Sequence, residues 1–106
     1  MSEARETAIE LLRVAYAHQV KGELDLAVEW YTRAAEQGSD WGQNNLGDMY
    51  ATGRWLENDF KEAAKWYQKA AEQNNRKAQA NLASLYYFGQ GIEKDIVTSY
   101  AWWSIA

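Results

Sequence analysis

The feature that most restricts how this chain can fold is a repeat of 36 residues. Residues 29–38 read EWYTRAAEQG and residues 65–74 read KWYQKAAEQN, identical at six of ten positions. The same shift superposes Trp30, Trp66 and Trp102, then Tyr31, Tyr67 and Trp103, then Ala34, Ala70 and Ala106. It also carries Asn45 onto Asn81, Leu46 onto Leu82, Tyr50 onto Tyr86, Gly53 onto Gly89, Leu56 onto Ile92 and Asp59 onto Asp95. Large and conformationally special residues held in phase at a period of 20–50 residues mark a stacked array, in which each unit buries its apolar face against the next.

Each period contains two helical patterns. Leu46, Met49 and Tyr50 recur at helical spacing in the first. Phe60, Ala63, Ala64, Tyr67, Ala70 and Ala71 form an i, i+3, i+4, i+7 stripe in the second. Asp59 and Asp95 stand where N-caps belong, and Glu62 follows Asp59 at the spacing of a reciprocal cap. Gly53 and Gly89 fall just past the first helix of their pairs, where a left-handed residue ends a helix at little steric cost. Gly38 takes that place after a second helix, and Asn74 replaces it one period on. The spacing predicts helices over about 4–20, 24–37, 40–52, 60–73, 76–88 and 96–106. The expected fold is all-α, a short right-handed solenoid of three antiparallel hairpins in one repeat domain, residues 1–106. The three units are 1–38, 39–74 and 75–106, the last cut short in its second helix.

The run Leu46-Gly47-x-x-Tyr50-x-x-Gly53, followed by Leu56-x-x-Asp59-x-x-x-Ala63-x-x-Trp66-Tyr67-x-Lys69-Ala70-Ala71, resembles the Sel-1-like repeat, a branch of the tetratricopeptide superfamily. The third unit matches it too, from Ala78 and Leu82 to the Gly89-x-Gly91 loop, Ile92 and Asp95. Residues 4–38 look more like an ordinary tetratricopeptide hairpin. Ala15 and Ala27 are 12 apart where Gly47 and Ala63 are 16 apart, so the extended loop is missing. Trp55 stands where the second loop glycine belongs, so the Gly53-Arg54-Trp55 turn departs from the pattern. It is read either as tucked against its own hairpin or as a partner contact.

The resemblance implies a non-enzymatic protein-interaction module, an adaptor holding a peptide or protein on the concave face lined by the first helix of each hairpin. Spacing then selects the outward stripe of those helices: Ile9, Leu12, Tyr16 and Gln19; Trp41, Asn44, Asp48 and Ala51; Lys77, Ala80, Ser84 and Tyr87. These positions vary between units while the core positions do not. The candidate partner-binding residues are therefore Tyr16, Trp41, Asn44, Asp48, Trp55, Lys77, Ser84 and Tyr87. Aromatic rings supply contact area at an interface. Trp41 and Tyr87 are the strongest individual candidates. The competing function is an immunity or inhibitor protein that neutralises a bacterial effector, which suits a small acidic repeat module.

Composition removes other classes. The net charge is −4 and the basic residues are scattered, so no stripe suits nucleic acid. There is no Cys, and His18 is the only His, at a position read as half-buried core or a helix end, so no metal or cofactor site is expected. The cysteine-rich members of the family have been linked to penicillin binding or hydrolysis, but their cysteines are absent. Gly89-Gln90-Gly91 is too short for a phosphate cradle, and no strand precedes it. No apolar run is long enough to insert into a membrane or to act as a signal peptide, so a cytoplasmic location is expected, or a periplasmic or secreted one if a leader has been removed. The third copy stops at SYAWWSIA without the polar exit of the others. Solenoid ends need a polar cap, so this end is expected either to pair in a homo-oligomer or to have lost downstream residues.

Overall fold

The computed structural model describes residues 2–106, with side chains from Thr7 onward. The described residues form six helices and no strand: α1 (Ser2–Val20), α2 (Leu24–Glu36), α3 (Asp40–Thr52), α4 (Phe60–Glu72), α5 (Arg76–Phe88) and α6 (Ile96–Ile105). Each helix packs mainly on its neighbours in sequence, giving an α-solenoid of three hairpins that measures 38 × 32 × 18 Å.

The punctuation follows the local chemistry. Ser39, Asp59, Asn75 and Asp95 each accept a hydrogen bond from the backbone N–H three residues on, at 2.9–3.1 Å. Gly53 and Gly89 end their helices with φ of 67° and 69°. Asn74, at φ 69°, is the one non-glycine residue in that region among the described residues. The reciprocal cap expected at Asp59 does not form. Its N–H is already taken by the Tyr50 carbonyl at 3.0 Å, and the Glu62 carboxylate pairs with Lys65 at 3.1 Å. Asp95 repeats that arrangement by donating to the Tyr86 carbonyl.

The core lies in two linked clusters. Ala15, Ala27, Tyr31, Ala35, Leu46 and Met49 form one, with Trp30, Trp55 and Trp66 packed against it. Ala63, Ala64, Tyr67, Ala70, Ala71, Ala78, Leu82 and Leu85 form the other, with Trp102 against it. Trp66 of α4 thus packs on a cluster drawn from α1, α2 and α3, and Trp102 of α6 on one drawn from α4 and α5. Arg33 and Lys69, one turn on, cover Trp30 and Trp66 at 4.5 and 4.7 Å from the ring centres. Exposed contacts of this kind contribute about 0.5–1 kcal/mol each.

Small residues let the layers touch. A Cβ on Gly42 would lie 2.9 Å from the Ala34 Cβ and from the Ala35 nitrogen, so the Ala-Ala pair of α2 faces Gly42. Gly47 instead seats the Tyr67 ring, 2.7 Å from where its Cβ would be.

The polar end of the repeated phrase is the joint between hairpins. Gln73 Nε2 donates to the Gly38 carbonyl and to Gln43 Oε1, both at 2.9 Å. Gln43 and Gln79, one period apart, donate to the Ala35 and Ala71 carbonyls. Asn75 caps α5 with its oxygen and reaches back with its amide to Asp40 Oδ2 at 3.0 Å. Asn75→Ala loses the cap and the joint together, and a loss of about 2 kcal/mol is expected in urea denaturation. Asn75→Ser keeps a capping oxygen and loses only the reach to Asp40, so about half that loss is expected. Equal losses for the two variants would show that the cap contributes nothing, and a Ser variant as stable as wild type would show the same of the bond to Asp40.

Candidate functional site: the first-helix face and its pocket

Hydrogen bonds join the first helices of the second and third hairpins, α3 and α5. On α5, Asn81 Nδ2 donates to Asn44 Oδ1 at 3.1 Å and to Asp48 Oδ1 at 3.3 Å, both on α3. From α4, the Tyr67 hydroxyl donates to the same Asp48 oxygen. Helical spacing builds this ledge, since Asn44 and Asp48 are one turn apart on α3. The 36-residue shift of Asn45 onto Asn81 was its visible trace in the sequence, although it is Asn44 that Asn81 meets.

The expected stripe is only partly a surface. Trp41 is 51% exposed and Tyr16 62% exposed, and Lys77 is exposed as well. Asn44 is not outward at all. It is 0% exposed because α5 packs over it, and its Nδ2 has no partner among the described residues. Asp48 and Ser84 are half-buried. Tyr87 is half-buried too, because its ring meets Phe88 edge to face at 5.0 Å and Trp103 of its own hairpin at a tilt, at 5.7 Å. Phe88, which the sequence does not single out, is the more exposed ring at that end.

Trp55 is half-buried against the first core cluster. Its backbone avoids the left-handed conformation that Gly91 adopts at the matching position, φ 72°, so the two loops differ. With Arg54 it walls an open pocket of about 270 Å³ between the first two hairpins. Gln19, Tyr31, Asn45, Asp48, Met49 and Thr52 complete the lining. Sequence reasoning missed this pocket, because it joins residues from α1, α2, α3 and a loop that share no single periodicity.

Burial pushes the Asp48 carboxyl above its usual range, against the opposing pull of the Tyr67 hydroxyl and the charge of Lys77. The phenols of Tyr67 and Tyr31 are also raised, first by burial, then for Tyr67 by its bond to Asp48. A group whose folded pKa is raised contributes stability that is present below its unfolded pKa and lost as pH rises past it. The chain is therefore expected to lose stability above a pH near 10, the ordinary value of a free phenol. Tyrosinate absorbance should show Tyr31 and Tyr67 ionising only as the helical circular-dichroism signal collapses. Ionisation of every tyrosine with helicity intact would contradict the burial assigned to them.

His18 Nδ1 meets Glu23 at 3.0 Å at the α1–α2 turn. No group of three or more metal-capable side chains occurs among the described residues. No helix there is long and apolar enough to cross a membrane.

The three-hairpin solenoid with its periodic tryptophans defines a helical-repeat scaffold. The family model described as Sel1 repeat matches residues 11–39, 42–75 and 76–106, and the chain belongs to the Sel1 repeat family. That family consists generally of protein-interaction modules and is typically non-enzymatic. A protective antigen with an SLR fold, present in uropathogenic Escherichia coli strains, superposes with a TM-score of 0.88 at 32% identity. A Sel1 repeat protein from Oxalobacter formigenes superposes at 0.85 and 33% identity. Each match covers 98% of this chain but only 23% and 44% of those proteins, respectively. Helicobacter pylori cysteine rich protein B shares the fold, with a TM-score of 0.74 at 20% identity over 98% of this chain and 84% of that one. No curated protein gave a significant match.

Proposed function

We propose that the chain is a non-enzymatic adaptor that holds a peptide or protein segment on the face formed by α1, α3 and α5. The observation that carries this reading is the contrast along one layer. Trp41, Tyr16 and Lys77 stand exposed on it, while Asn44, Asn81, Asp48 and Tyr67 beneath them are locked to one another across two hairpins. A rigid polar ledge with an exposed ring beside it suits recognition, because large aromatic side chains dominate binding energy where a partner covers them. Trp41 is 51% exposed and a member of neither core cluster, so truncating it should leave the fold intact.

The test is affinity capture with the wild-type chain, followed by Trp41→Ala and Lys77→Glu. Each variant is expected to melt like wild type and to weaken capture of the same partner at least about tenfold. Unchanged capture by both would remove this face from the interface. Tyr87→Ala is a poor probe, since that ring supports Trp103 within its own hairpin.

A further inference from the structure

The pocket between the first two hairpins is unusual in how its hydrogens are used. The Tyr31 hydroxyl donates to Gln19 Oε1 at 2.7 Å. The Thr52 hydroxyl donates to the Asp48 backbone carbonyl at 2.8 Å. The Tyr67 hydroxyl and the Asn81 amide, approaching from the second and third hairpins, both spend their hydrogens on Asp48 Oδ1. Asp48 Oδ2 takes none of these bonds. Each hydroxyl oxygen keeps free lone pairs, as does Gln19 Oε1. The hydroxyls and Gln19 Oε1 therefore set acceptors around one half-buried carboxylate, beside the donor amides of Gln19 and Asn45, with the Met49 side chain and the Trp55 ring as the apolar wall.

Such a lining calls for a ligand that brings several donors and positive charge. We infer that this pocket receives a long cationic side chain, arginine or lysine, from the bound partner, with its stem against Met49 and Trp55 and its head on Asp48 Oδ2. A guanidinium offers five N–H donors and an ammonium three, and neither accepts. A bare metal ion fits less well, since the described residues gather no cluster of metal ligands there. Burial already makes the Asp48 charge costly, and an arriving cation offsets that cost. Arg54 on the rim is the one cation in the lining. It works against the ligand and so provides a control of opposite sign. The inference rests on the reading of the first-helix face as the binding face, and it adds which chemistry that face selects.

The experiment uses the whole chain, isotope-labelled for NMR, and capped pentapeptides with Arg, Lys, norleucine or Glu at the centre of an alanine host. The Arg and Lys peptides are expected to move the Trp55 indole and Asn45 amide signals, and the norleucine and Glu peptides to leave them in place. Asp48→Asn, which keeps an acceptor for Tyr67 and Asn81, should weaken that binding at least about tenfold. Arg54→Ala should strengthen it. Preference for the Glu peptide, silence from all four peptides, or full binding by Asp48→Asn would each overturn the inference. If an adaptor partner moves Trp41 and Lys77 while the Trp55 and Asn45 signals stay silent, the pocket assignment fails and the face reading stands. If the cationic peptides seat in the pocket but partners ignore the Trp41 face, the reverse holds.

Discussion

Tyr67→Ala is expected to destabilise the protein by about 4 kcal/mol, the range for emptying an aromatic site in a packed core. The effect should be large because one side chain serves three contacts. Its ring fills the notch left by Gly47, it belongs to the second core cluster, and its hydroxyl holds Asp48. Stability in a repeat array is close to a sum of unit and interface contributions, and Tyr67 sits in the middle unit, where both neighbours depend on it. A domain of this size has only about 5–15 kcal/mol in hand, so the melting temperature should fall steeply. Tyr67→Phe keeps the ring and is expected to lose only about 1 kcal/mol. Urea denaturation of the pair separates packing from hydrogen bonding. Equal losses would place the effect in the hydroxyl and contradict the packing account.

Gly91→Ala is the second large effect. Gly91 has φ 72°, and a Cβ there would stand 2.3 Å from the Phe60 carbonyl carbon and oxygen. The α5–α6 loop thus leans directly on the backbone that opens α4, with no flexible side chain to give way. Left-handed strain and backbone displacement together should cost about 3 kcal/mol or more. Gly22→Ala is the matched control. Its φ is 80°, but no atom lies within 4 Å of the added carbon, so strain alone applies, about 1–2 kcal/mol. Comparable thermal shifts for the two variants would mean that the loop does not press on α4.

Features set within one helical turn could be read from the sequence, and those that need two hairpins to meet could not. Helix limits, caps and the glycine or asparagine stops were legible because each is set by residues within one turn. The tryptophan positions were legible because Trp30, Trp66 and Trp102 keep their period. The ledge was less so. Asn44 reads as outward on a helical wheel, and only the arrival of α5 buries it. Tyr87 reads as exposed until Trp103 of the returning helix packs on it. The pocket was invisible, since Gln19, Tyr31, Asp48 and Trp55 meet only when two hairpins stack at a fixed angle. Trp55 itself was legible as an anomaly, a bulky ring in a glycine's place. Its surroundings depended on a loop that folds unlike its counterpart.

The central claim is that function resides on the layer of first helices and that the second helices are structural. Hydrogen–deuterium exchange of the chain with a captured partner tests it most directly. The account predicts added protection in the peptides of α3 and α5, from Trp41 to Thr52 and from Lys77 to Phe88, with α2 and α4 unchanged. Added protection confined to α2 and α4, with the Trp41 peptide exchanging as in the free chain, would contradict it.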